Sequence, residues 1–251
     1  YVPSFNFGDR GPSMVESEIC IRERASAMLI HPDYEGRVTE DWFNSASWGN
    51  QARPVSSGGR GGAWFLQAGE DRLVLREYRR GGLMAKFARY AYAFTGEEYV
   101  RSFAEFRLLN KLVSQGLPVP CPVAAWYRKL SPIQYRAAII IERLENTTPL
   151  ADLISELDNE AWTSIGETIR RFHDAGVMHA DLNCFNVLVR GNEYFLIDFD
   201  KSRLMTGSAP ARWKEANLDR FSRSLVKVAG EDARAKTWSY FMNGYNRGMA
   251  T

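Results

Sequence analysis

Asp181, Asn186 and Asp198 lie close together in residues 177–200, which read VMHADLNCFNVLVRGNEYFLIDFD, and together they could carry phosphoryl transfer. That reaction needs a carboxylate to orient and deprotonate an attacking hydroxyl, and oxygen ligands to hold a divalent cation against the phosphates. Mg²⁺ is a hard ion that keeps several waters, so one or two carboxylates, an amide oxygen and phosphate oxygens suffice. Asp181 suits the base, and Asn186 and Asp198 suit the metal. Taken singly, a His-x-Asp pair, or two aspartates at a hairpin end, could be solvated loop residues beside a buried histidine. The joint spacing of base, amide and metal carboxylate points to the chemistry. His179 is read as a brace for the loop and not as a catalytic group.

These residues need rigid elements around them. Val187-Leu188-Val189 and Tyr194-Phe195-Leu196-Ile197 are short apolar runs, and Gly191-Asn192 between them signals a hairpin that delivers Asp198, Phe199 and Asp200. Over 160–175, Trp162, Ile165, Ile169 and Phe172 share a helical face stopped by Gly176, which predicts a scaffold helix beneath the loop. His173 at its end has no second ligand nearby and reads as packing. Upstream, Gly58, Gly59, Arg60, Gly61 and Gly62 precede a strand-like run. Glycines there let backbone N–H groups approach phosphate oxygens, although a plain β-turn has the same composition. Residues 73–78 have strand composition and place Arg76 where kinases carry a lysine. Arginine can pair the nucleotide phosphates through its fork, Arg79 or Arg80 could do so instead, and an exposed strand arginine remains an alternative. The helix predicted over 100–115 carries Glu105, expected to pair with Arg76 as in kinases. The proline-rich run 116–123 must be extended, strands are expected at 124–127 and 137–141, and Glu142 and Leu144 fall at the hinge where backbone groups would meet adenine.

The loop HADLNCFNVLV with FLIDFD resembles the bacterial 3-deoxy-D-manno-octulosonic acid (Kdo) kinases, sugar kinases of the lipopolysaccharide core. GGRGGAWFL, LREYRRGGLMAK, RSFAEFRLL, GLPVPCPVAA and NLDRFSRSLVK extend the similarity over roughly residues 40 to 230. The resemblance implies a protein-kinase-like, two-lobed α+β fold: a small antiparallel β lobe with one main helix, and a larger, mostly helical lobe. It also implies ATP and Mg²⁺ as cofactors. The acceptor would be a hydroxyl of Kdo on a lipid A precursor at the cytoplasmic face of the inner membrane, which the chain would touch peripherally. Asp200 stands where protein kinases have glycine and, as in related phosphotransferases, is expected as a second metal ligand. Residues 79–101 interleave Arg79, Arg80, Lys86 and Arg89 with aromatics. Leu83, Phe87, Tyr90 and Phe94 fall near helical spacing, so a short helix is expected to read the anionic acceptor or the anionic membrane surface, or else simply to cover the small lobe. No Ala-Pro-Glu motif follows Asp200, which argues against a protein substrate. An aminoglycoside- or choline-type phosphotransferase shares these loops and remains the rival enzyme. A kinase-like binding module without activity, suggested by Arg76 in place of lysine, is the rival outside enzymes.

Composition bounds the rest. The 251 residues, 45% hydrophobic and 25% charged, can bury a sizeable core, and a net charge of +2 gives no reason to invoke nucleic acid. Cys20, Cys121 and Cys184 are isolated, which argues against disulfides and zinc and fits a reducing cytoplasm. No apolar run approaches the roughly 20 residues of a membrane-spanning helix. Residues 1–13 read as a vector-derived leader with Met14 as the native start. The expected organisation is an extension over 1–53 anchored by Trp42, Phe43 and Trp48, a nucleotide-binding lobe over 54–143 and a catalytic lobe over 144–251. Short helices are expected at 150–157 and 215–228, with Trp238, Tyr240 and Phe241 packing the end of the chain. Oligomeric state is not legible.

Overall fold

The computed structural model of the chain describes residues 18–55, 62–78, 91–205 and 212–247. Its small lobe is built on one sheet, whose strands are β1 (Ile19–Arg22), β2 (Ser26–Ile30), β3 (Ala52–Pro54), β4 (Ala63–Ala68), β5 (Asp71–Glu77), β6 (Tyr92–Ala93), β7 (Pro122–Ser131) and β8 (Gln134–Glu142). They run in the order β1-β2-β7-β8-β5-β4-β3, with β6 paired to β8, and every pairing is antiparallel. The apolar runs at 19–21 and 28–30 therefore do more than precede the lobe: they continue its sheet past β7.

Side-chain alternation splits this sheet into two working faces. Ala125, Tyr127, Ile139 and Ile141 face helix α1 (Arg101–Ser114), whose Phe103, Phe106, Leu109 and Leu112 are buried against them. Trp126, Ala138 and Ile140 face the other way, with Leu73, Leu75 and Phe43, and Phe43 stacks on Trp126 at 5.7 Å. On β5 the same alternation turns Arg76 and Tyr78 toward α1, while Leu73 and Leu75 point away. A concavity of about 590 Å³ lined by Glu40, Trp126, Arg128 and Arg136 lies on the face away from α1 and contains no residue of the predicted site.

Of the helix expected over 83–94, only the end from residue 91 is described, and there the chain is strand. Tyr92 pairs with Tyr135, and Phe94 stacks near Tyr127 at 5.7 Å, so aromatic packing onto the sheet edge replaces helical periodicity.

The large lobe hangs on two helices, α3 (Asn159–Asp174) and α4 (Arg212–Arg247), with a single turn, α2 (Leu150–Leu153), after β9 (Thr148–Pro149). Asp158 caps α3 by accepting from the Ala161 N–H, and Gly176, at φ 78°, ends it. Helix α4 extends well beyond the predicted 215–228, with a break in its dihedrals at Gly230. It crosses α3 at backbone contact. A Cβ on Gly166 would come within 2.0 Å of the Phe241 carbonyl oxygen, and one on Gly244 within 1.9 Å of that of Thr163. Only glycine fits either position. Trp238 stacks on the buried Phe241 at 4.8 Å, whereas Tyr240, expected to pack with them, is exposed.

Candidate active site

Strand β10 (Val177–Met178), paired to β13 (Arg203–Leu204), leads into the loop that carries Asp181 and Asn186. The hairpin of β11 (Val187–Arg190) and β12 (Glu193–Leu196) then turns through Gly191-Asn192, as its sequence predicts. The loop is tied to the hairpin's far end at two points. His179 Nε2 lies 3.0 Å from the Ile197 carbonyl oxygen, and the Ile197 N–H donates to the Asn186 carbonyl. His179 Nδ1 accepts from the Asp181 N–H at 3.2 Å, so both ring nitrogens serve the backbone. Burial pushes the imidazole pKa down, which favours the neutral ring that this pattern requires. His179 is thus the brace its sequence context suggested.

The amides of Asn183 and Asn186 both donate to the Asp181 carbonyl at 2.9 Å. With its Nδ2 so occupied, Asn186 has its Oδ1 left as an acceptor. Asp198 follows in the left-handed region at φ 63°, a conformation that aspartate tolerates better than bulkier residues. Its side chain is 42% exposed and, among the described residues, only Oδ1 is engaged, by Arg76. One amide oxygen and one carboxylate at an open position are hard oxygen donors that suit Mg²⁺. Among the described residues no cluster of three or more His, Cys, Asp or Glu offers a rival metal site.

Behind Asp198 lies a buried ion-pair network. Arg76 Nη2 meets Glu105 Oε2 at 2.6 Å, and Arg76 Nη1 meets Asp198 Oδ1 at 2.9 Å. Glu105 also accepts from the Tyr78 hydroxyl and, at 3.1 Å, from the Phe199 N–H. Burial works against the Arg76 charge, but Glu105 and Asp198 outweigh it and hold the guanidinium protonated. Burial likewise pushes the Glu105 carboxyl up, opposed by Arg76, Tyr78 and the Phe199 amide. The structure therefore brings Arg76, Glu105 and Asp198 together. Arg76 uses two nitrogens for two carboxylates, which a lysine could not do in the same geometry.

Asp200 is engaged by an arginine that the sequence reading did not pair with it. It gives both oxygens to Arg101, at the start of α1, with Nε to Oδ1 at 2.7 Å and a second contact from Nη2 to Oδ2. The Arg101 guanidinium also lies over the Tyr92 ring, 4.6 Å from its centroid. Matched to the guanidinium fork, Asp200 clamps α1 to the 198–200 segment. At the hinge, the Glu142 N–H is bonded to the Cys121 carbonyl, and the Leu144 carbonyl accepts from Thr147. Gly62 precedes β4, and its carbonyl accepts from the Glu77 N–H. Gly58, Gly59, Arg60 and Gly61, and the basic residues Arg79, Arg80, Lys86 and Arg89, lie outside the described residues.

Sequence reasoning missed a third set of contacts. Asn217 of α4 accepts from the His179 N–H and donates to the His179 carbonyl, both at 3.1 Å. Ser224 accepts from the Cys184 N–H at 3.1 Å, and between them Arg220 Nη1 meets Asp181 Oδ1 at 2.9 Å. Spacings of three and four residues put these side chains on one helical face. That polar stripe on NLDRFSRS was the available signal.

Comparison with known proteins agrees with the motifs. The family model described as Lipopolysaccharide kinase (Kdo/WaaP) family matches residues 45–245. A protein from Xylella fastidiosa (strain M12) named 3-deoxy-D-manno-octulosonic acid kinase is 45% identical over 214 residues, 84% of this chain and 85% of the relative. One of the same name from Xanthomonas euvesicatoria pv. vesicatoria (strain 85-10) is 47% identical over 210 residues, 83% of each chain. Among solved structures, WaaP in complex with acyl carrier protein superposes with a TM-score of 0.57 over 88% of both chains. Aminoglycoside-3'-phosphotransferase of type VIII gives 0.53 over 80% of this chain and 87% of the other. At 15% identity these two show the fold, which is the protein-kinase-like one.

Proposed function

The chain belongs to the lipopolysaccharide kinase (Kdo/WaaP) family, and on that premise we propose that it transfers the γ-phosphoryl group of ATP to a hydroxyl of Kdo carried on a lipid A precursor. The observation that carries the reading is the convergence of Asp181, Asn186 and Asp198 on one braced loop and hairpin, with Arg76 and Glu105 behind them. Asp181 orients the acceptor hydroxyl and takes its proton. Mg²⁺, held by Asn186 and Asp198, would neutralise charge on the phosphate oxygens. Arg76 keeps Asp198 in place and is near enough to the metal position to meet phosphate oxygens as well. The Arg101–Asp200 clamp fixes α1, and with it Glu105, relative to the metal segment. Backbone groups of Glu142 and Leu144 are proposed to face adenine.

No helix among the described residues is long and apolar enough to cross a membrane. A glycolipid acceptor therefore implies work at the membrane surface, where Arg79, Arg80, Lys86 and Arg89 are proposed to meet anionic lipid or acceptor groups. Radiolabelled ATP offered with Kdo-lipid A precursor, choline and an aminoglycoside tests the reading. Label is expected only on the Kdo acceptor. Transfer to either alternative in its place, or to none of the three, overturns it.

A further inference from the structure

The Asp181–Arg220 contact is poorly explained by stability. Arg220 and Asp181 have side chains 47% and 56% exposed and meet through one nitrogen and one oxygen. Exposed pairs of this kind contribute about 0–1 kcal/mol. The loop is already held through its backbone by Asn217 and Ser224, one helical step to either side. What remains is a fixed cation beside the point where the acceptor hydroxyl must arrive. A guanidinium has five N–H donors, and beyond Asp181 no hydrogen bond holds this one among the described residues.

We propose that Arg220 is the acceptor-binding arginine of the site, and that its unused N–H donors take the carboxylate of the acceptor sugar while Asp181 takes the hydroxyl. This rests on the Kdo reading above. Kdo is a sugar acid, so its ring hydroxyls lie within a few ångströms of its own carboxylate. An acceptor whose hydroxyl reaches Asp181 brings that anion to the only charged partner that Asp181 has among the described residues. In the transfer, the hydroxyl oxygen bonds to the γ-phosphorus of ATP, its proton passes to Asp181, and the bond to the bridging oxygen breaks to release ADP. Arg220 contributes position and recognition and exchanges no proton. It would also discriminate against neutral or cationic alcohols, for which it offers no partner.

The test uses the full chain and two acceptors: Kdo-lipid A precursor, and the same compound with the Kdo carboxylate as its methyl ester. Arg220→Gln is expected to raise the acceptor KM about tenfold or more on the acid, the size of a lost charge-assisted hydrogen bond, with the ATP KM unchanged. On the ester, wild type and Arg220→Gln should behave alike, and Arg220→Lys should fall between them on the acid. A shift in Tm with Mg·ATP, equal in all three proteins, checks that the variants are folded. If Arg220→Gln slows acid and ester by the same factor with the acceptor KM unchanged, Arg220 only positions Asp181 and the proposal is overturned. If wild type phosphorylates neither acceptor, the Kdo reading itself has failed and this inference falls with it.

Discussion

Two charged assemblies bracket the site, and they are built on opposite terms. Arg76, Glu105 and Asp198 join β5, α1 and the end of the hairpin through a guanidinium that serves two carboxylates, and Glu105 is only 3% exposed with donors on both oxygens. Asp181 and Arg220 share one contact in open solvent. In the first case removing Arg76 or Glu105 strips the other, buried charge of its nearest counter-ion, at a cost of about 3–5 kcal/mol. In the second, water replaces either partner at little cost. The buried network has its charges matched by the fold, whereas the exposed pair keeps hydrogen-bonding capacity that the fold leaves unused.

The largest effects should separate these ends cleanly. Asp181→Ala is expected to lower kcat about 10²- to 10⁴-fold, the range of a lost general base, with stability changed by less than about 1 kcal/mol. Glu105→Ala should cost about 3 kcal/mol or more, or roughly 6–12 °C in Tm for a chain of this size, and should depress activity by loosening Asp198. Melting curves and initial rates on both variants decide the matter. A destabilised Asp181→Ala beside a stable Glu105→Ala would invert the comparison. Within the buried end, Arg76→Lys keeps charge but cannot hold both carboxylates, so kcat/KM for ATP should fall about tenfold, and Arg76→Ala about a hundredfold. Near-normal values in both variants would remove Arg76 from the phosphate site.

The two ends also differ in how far they can be read from the sequence. The Gly191-Asn192 hairpin was legible because local spacing fixes it, and the Arg76–Glu105 pair because the kinase pattern sets that strand residue against that helix residue. Arg101 and Asp200 are 99 residues apart. Nothing local to Asp200 says that an arginine at the start of α1 will meet it. The grip of Asn217, Arg220 and Ser224 on the loop was present as a helical stripe, but nothing in the sequence says which loop that stripe meets. Likewise, Ile19, Ile21 and Met28-Leu29-Ile30 looked like strands, while their place at the edge of the sheet depends on register with β7, which no local pattern encodes.

The last expected effect belongs to neither end but to the scaffold beneath both, and it concerns stability in acid. His173, 2% exposed at the end of α3, bonds through Nδ1 to the Tyr245 hydroxyl at 2.7 Å and packs edge-on against Trp213. Burial lowers its pKa from 6.5 to about 4; Lys214 and Arg170 press the same way, against Asn217 and Asp174. The folded pKa is depressed, so the unfolded chain binds the proton first. The stability due to the neutral ring is therefore present above pH 6.5 and drains away as the pH falls toward 4. The loss should be roughly 1 kcal/mol between pH 7 and 5.5 and approach about 3 near pH 4. In urea melts across this range, His173→Gln should flatten the slope, since glutamine does not titrate. An equal slope in wild type and His173→Gln would mean that His173 does not set the acid sensitivity of the α3–α4 scaffold.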